Sequence, residues 1–109
     1  MAGATRRTER RRHPRVAIAR QVSAKFDRKV HNGEVKDISA SGAALAMQAE
    51  IEEDGFVELS IEDVSPVSGF VARSFEDGFA VEFDIDEEDQ ERLVSEIREI
   101  QHTMQVDDE

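Results

Sequence analysis

Between Val16 and Phe83 the apolar side chains recur at alternate positions, whereas from Glu87 onward they recur every third or fourth position. A period of two marks a half-buried strand and a period near 3.6 an amphipathic helix, so the chain must begin as sheet and end as helix. Val16, Ile18, Val22, Ala24 and Phe26 follow the first period, with Arg20 interrupting. Asn32-Gly33 is the strongest short-range hairpin signal in the chain. It predicts a two-residue turn with Glu34 to Ile38 as the returning strand. Ala43, Leu45 and Met47 form one further strand, and Val57, Leu59 and Ile61 another. Val67 to Ser74 and Phe79 to Asp84 flank Glu76-Asp77-Gly78 as a second hairpin, in which Phe79, Val81 and Phe83 share a face.

Leu93, Ile97, Ile100 and Met104, at spacings of 4, 3 and 4, make the helical stripe. Asp86 is placed to cap the helix start, Asp89 is an imperfect capping-box partner three residues on, and the acidic first turn suits the helix dipole. About six short strands followed by one helix predict a mainly β fold, a small antiparallel barrel with the helix packed over its open end. At 109 residues there is room for one domain. The expected boundaries are a flexible basic arm at 1–10, a domain at 11–104 (barrel about 16–84, helix about 86–104) and an acidic tail at 105–109.

Charge and composition narrow the function. The first 20 residues carry seven arginines against Glu9, a balance of +6, while the remainder carries seven basic side chains against 24 acidic ones, −17, for a total of −11. An acidic body repels a nucleic acid polymer over most of its surface, yet a basic arm can hold a small anion. Cysteine is absent, which rules out a thiol nucleophile, a redox dithiol and a zinc-thiolate site. The longest apolar run, Ala43 to Met47, is far short of the ~20 residues a spanning helix needs, so no membrane insertion is expected. Arg6-Arg7 has no apolar stretch behind it, so no secretory or twin-arginine signal is read and a cytoplasmic location is expected.

Two segments stand apart from this scaffold: Arg11-Arg12-His13-Pro14-Arg15 and Asp37-Ile38-Ser39-Ala40-Ser41-Gly42. Guanidinium groups pair two ways with phosphate, stack on bases, or meet the O6 and N7 acceptors of guanine. A carboxylate such as Asp37 can accept from the N–H groups of a guanine edge, the Ser39 hydroxyl can serve a base edge or a phosphate, and Gly42 permits a tight turn or close backbone approach. Taken alone, an arginine run is a solvated tail and Asp-x-Ser before Gly is turn chemistry.

Together the segments resemble the PilZ domain family, whose hallmark is R-x-x-x-R followed some 20 to 30 residues later by [D/N]-x-S-x-x-G. Arg11 and Arg15 fit the first element, and Asp37, Ser39 and Gly42 the second, with the resemblance covering about residues 10 to 100. It implies a six-stranded barrel that binds cyclic di-GMP, with the arginines on phosphate and guanine and the Asp and Ser on guanine. It also implies a non-enzymatic receptor that acts through a partner protein in motility, adhesion or exopolysaccharide synthesis. A basic residue just before R-x-x-x-R, here Arg10, goes in this family with a stacked pair of nucleotides. Two ligands per chain are therefore expected, held by Arg10, Arg11, Arg12 and Arg15. The alternative is a PilZ-like protein-interaction module without nucleotide.

Other constellations fall short. Ser39, Asp37 and His31 lack a nucleophile-elbow pattern, and His13, His31 and His102 are dispersed. Asp84 to Glu88 opens like a calcium loop but has Asp89 where glycine is required and Ser95 where glutamate is required. The helical stripe could meet a partner helix, although covering the barrel is the simpler use. The Asn32-Gly33 turn makes paired positions sum to 65, which sets Phe26 opposite Ser39 and leaves Arg15 about 36 Å farther along an extended strand. Either the register differs or Val16 to Arg20 folds back as a lid over a ligand held at Asp37 and Ser39, leaving the arm mobile until it closes.

Overall fold

The computed structural model describes residues 15–107. Six strands close into an antiparallel barrel: β1 (Gln21–Phe26), β2 (Lys29–Ser39), β3 (Gly42–Ala46), β4 (Phe56–Ile61), β5 (Val67–Phe75) and β6 (Gly78–Phe83). Around the barrel the order is β1-β2-β3-β6-β5-β4, with β4 returning to β1. Helix α1 (Glu87–Asp107) follows. The expected six-stranded barrel with one late helix is therefore the observed fold, and among the described residues no helix is long and apolar enough to cross a membrane.

The first hairpin differs from the expectation. Its turn is Asp27-Arg28, not Asn32-Gly33, and Phe26 pairs with Lys29, so paired positions sum to 55. Asp27 (φ 55°) and Arg28 (φ 63°) both take left-handed backbone, as a two-residue primed turn demands. The reason lies in side-chain alternation. A turn at 32–33 would have pulled the polar run Asp27-Arg28-Lys29 into a strand, whereas the observed turn leaves Val22 and Ala24 buried. Gly33 sits in mid-strand opposite Val22, and a Cβ there would run into the Ala46 carbonyl oxygen. Its glycine serves close approach of β3, not a turn.

Two bulges bend the sheet, between Val35 and Asp37 in β2 and between Val71 and Arg73 in β5. The first resets the alternation: Val35 and Ile38 are both buried, and Lys36 and Asp37 both face outward. Inside the barrel Val22, Ala24, Val35, Ile38, Leu45, Val57, Leu59, Val71, Phe79 and Val81 form one cluster, joined by Leu93, Ile97 and Ile100 from α1. These three residues of the stripe thus pack against the barrel, as expected.

Asp86 Oδ1 accepts from the Asp89 N–H at 2.9 Å, the predicted cap. The loop between β4 and β5 is tied to the helix, because Ser65 donates from N and Oγ to Glu96 at 3.0 and 2.5 Å. The helix extends to Asp107, three residues past its expected end, so Gln105 to Asp107 are helical and not tail. Arg20, the interruption in the first apolar pattern, donates from Nε to Asp63 at 2.9 Å.

Candidate functional site

The corrected register solves the reach problem without a lid. Val16 N donates to Ile38 O and Ile38 N to Val16 O, both at 2.9 Å, and Val35 N donates to Arg20 O. Those pairs sum to 54 and 55, so Val16 to Arg20 continues the antiparallel course of β1 along β2. Ile18, 4% exposed, anchors the segment in the core. A lid made of residues 16–20 is thereby overturned: the segment belongs to the barrel wall, since its backbone hydrogen bonds are made with β2.

This course brings Arg15 to Asp37. Arg15 Nη1 lies 2.6 Å from Asp37 Oδ1, joining two residues 22 apart in sequence. The two side chains are 51% and 36% exposed, open enough to meet a ligand. The bulge at Lys36 is what turns Asp37 outward beside this segment. A carboxylate and a guanidinium side by side present acceptors and donors together, which suits a planar ligand carrying N–H donors and an anion.

Ser39 takes a different part. At 2% exposed, its Oγ accepts from the Ser41 N–H at 3.2 Å and lies 3.0 Å from Ser41 Oγ. This is a side chain closing its own turn, and it shapes the Ala40-Ser41 link between β2 and β3. The sequence by itself points to no role for Ser41. The Ser-x-Ser spacing was its signal, and its carbonyl also accepts from Phe83 N at 2.9 Å. Gly42 pairs with Ser39 and Glu82, and a Cβ on it would lie 2.5 Å from the Val81 carbonyl oxygen. Of the two roles expected for it, close backbone approach is the observed one. Arg10, Arg11 and Arg12, with the arm at 1–10, lie outside the described residues.

The family model for the PilZ domain matches residues 9–99, most of the chain. No curated protein sequence matches. Among solved structures, the Bacillus subtilis inhibitor of motility MotI/DgrA superposes with a TM-score of 0.66 at 20% identity, covering 83% of this chain and 50% of that one. The chain thus spans about half the length of that protein. The PilZ domain of CeSA from a cellulose-synthesizing bacterium gives 0.63 at 19% identity, covering 84% and 98%. An uncharacterized Legionella protein gives 0.60 at 18% identity, also covering 84% and 98%. At such identities the likeness speaks for the fold.

Proposed function

The chain belongs to the PilZ domain family, and from that premise we propose that it is a non-enzymatic receptor for cyclic di-GMP, bound between the arginine segment and the Asp37 to Gly42 turn. The observation that carries the reading is the 2.6 Å contact between Arg15 and Asp37, which unites the two motif halves on one exposed patch. Asp37 accepts from the guanine N–H edge, and Arg15 turns toward O6 and N7 or a phosphate. Arg10, Arg11 and Arg12 supply the remaining charge, which with Arg15 balances the four phosphates of two stacked ligands. Ser39 and Gly42 act chiefly by setting the turn.

Binding orders residues ahead of Arg15 and so changes the surface offered to a downstream protein. The Bacillus subtilis neighbour is an inhibitor of motility and the CeSA neighbour comes from a cellulose-synthesizing bacterium, outputs of the kind such a receptor serves.

Calorimetric titration with cyclic di-GMP tests the reading. Two molecules per chain are expected, falling toward one in Arg10→Leu, and cyclic di-AMP should bind far more weakly, because adenine lacks the N1–H and N2 amino donors that Asp37 accepts from and puts an N6 amino donor where Arg15 requires the O6 acceptor. Absence of heat with cyclic di-GMP would overturn the receptor. Equal affinity for the two dinucleotides would overturn base reading.

A further inference from the structure

The chain has six phenylalanines and neither Trp nor Tyr, yet two of the six face outward. Phe56 on β4 and Phe70 on β5 are 50% and 41% exposed, are register partners, and meet edge to face with ring centroids 5.6 Å apart. Paired outward aromatics on a barrel wall contribute little to the core, and contiguous exposed apolar surface marks an interaction site. Continuing along the same row, Phe70 pairs with Glu82 on β6, and Glu82 pairs with Gly42. Glu58 lies two residues beyond Phe56 on the outer face, and the exposed Asp84 donates its N–H to the Ser68 carbonyl one row away. Lys25, opposite Glu58, and Arg73, past the bulge, are cations near this acidic rim.

Charge chooses among the occupants of such a patch. A nucleic acid or an anionic membrane would be repelled by Glu58, Glu82 and Asp84 and by the −17 balance of residues 21–109. A second copy related by two-fold symmetry would set these same carboxylates against one another. A polypeptide carrying arginine or lysine beside an apolar side chain satisfies both parts of the patch. Its cations pair with the rim and lie over the ring faces, and its apolar group covers the ring edges. We propose that the Phe56–Phe70 face of β4 and β5 is a docking surface for a basic, apolar-interleaved segment of a partner protein. The surface exists independently of any nucleotide, although it begins two strands from Gly42, roughly 10 Å at the usual strand spacing.

The probe is a synthetic octapeptide alternating arginine and leucine, titrated into isotopically labelled full-length protein, with arginine–serine and glutamate–leucine octapeptides as controls. Amide shifts from the arginine–leucine peptide should centre on Phe56, Glu58, Phe70 and Glu82, with both controls at least tenfold weaker. The double variant Phe56→Ser/Phe70→Ser should lose at least tenfold in affinity, and Glu58→Gln/Glu82→Gln several-fold. The glutamine pair removes no apolar packing, so it reads the rim even if the serine pair unfolds. Shifts centred elsewhere, equal binding of the arginine–serine peptide, or unchanged affinity in the glutamine variant would overturn the proposal. So would a dimer of the chain alone in sedimentation that dissociates on the Phe56→Ser/Phe70→Ser change.

Discussion

Lys36 and Asp37 are neighbours on β2, both turned outward by one bulge, and each makes an ion pair, but in opposite directions. Lys36 Nζ lies 2.8 Å from Asp77 Oδ2 and 5.0 Å from the Phe75 ring centroid, joining β2 to the β5–β6 turn. Asp37 meets Arg15 at 2.6 Å beside the Ser39 turn. Length and exposure hardly separate the pairs: their side chains are 41% and 64% exposed in the first, 51% and 36% in the second. What differs is the company. Lys36 is placed between two parts of the barrel, whereas Arg15 stands at the end of an arginine run in which both partners can turn to a ligand. An ion pair's role is therefore read from its surroundings more than from its geometry.

Removing each pair in turn should separate the two roles. Arg15→Ala and Asp37→Ala should each weaken cyclic di-GMP binding by roughly 10- to 150-fold, the worth of a charge-assisted hydrogen bond of about 1.5–3 kcal/mol. Lys36→Ala should leave the titration unchanged. All three should shift folding stability by less than ~1 kcal/mol, as exposed pairs do. If Lys36→Ala weakens binding as much as Arg15→Ala, the two pairs are not functionally distinct.

Glycine substitutions probe how far the motif is scaffold. Gly42→Ala places a Cβ 2.5 Å from the Val81 carbonyl oxygen, and Gly33→Ala forces one into the Ala46 carbonyl. Each should lower stability in urea by about 1–3 kcal/mol, the usual cost of overpacking. Only Gly42→Ala should also weaken nucleotide binding by the protein that remains folded, since Gly42 adjoins the Ser39 turn and Gly33 does not. Equal loss of affinity in both would mean that the motif glycine acts through global stability alone.

The smallest effect expected is a pH dependence of the Lys36–Asp77 pair. The hydrogen bond from Lys36 is the main cause holding the Asp77 carboxyl below its ordinary value of 3.8; its own backbone N–H and the Lys36 charge add to this, and burial opposes it. With the folded value depressed, the unfolded chain takes up the proton first as pH falls. The pair's contribution is therefore complete above 3.8 and is lost as pH drops through the folded value. The melting-temperature difference between the natural chain and Lys36→Met should be present near pH ~6 and vanish in strong acid. A difference that persists there would assign the effect to Lys36 packing on Phe75 instead.

Much of the molecule was legible because its signals are local. Alternation in Val57, Leu59 and Ile61, the switch of period at Glu87 and the Asp86 cap depend on neighbours within a few residues, and each appears where the sequence places it. The five motif residues Arg11, Arg15, Asp37, Ser39 and Gly42 were likewise readable as a pattern. Their division of labour was not. Ser39 and Asp37 are two residues apart, but the bulge and the turn send one side chain into the wall and the other to its surface.

The register of the first hairpin shows where local information ends. Asn32-Gly33 and Asp27-Arg28 are both turn-competent, and a ten-residue change in pairing sum separates them. Sequence alone determined that two strands must meet near this point, because alternation and turn chemistry are properties of short segments. Which turn is used was decided only when β2 had to pair along both its edges at once. It faces Val16 to Phe26 on one side and β3 on the other, and closure of the barrel requires both sets of hydrogen bonds together with a buried Val22, Ala24, Val35 and Ile38. That condition places Arg15 at Asp37, and it involves residues too far apart in the chain for any short pattern to express.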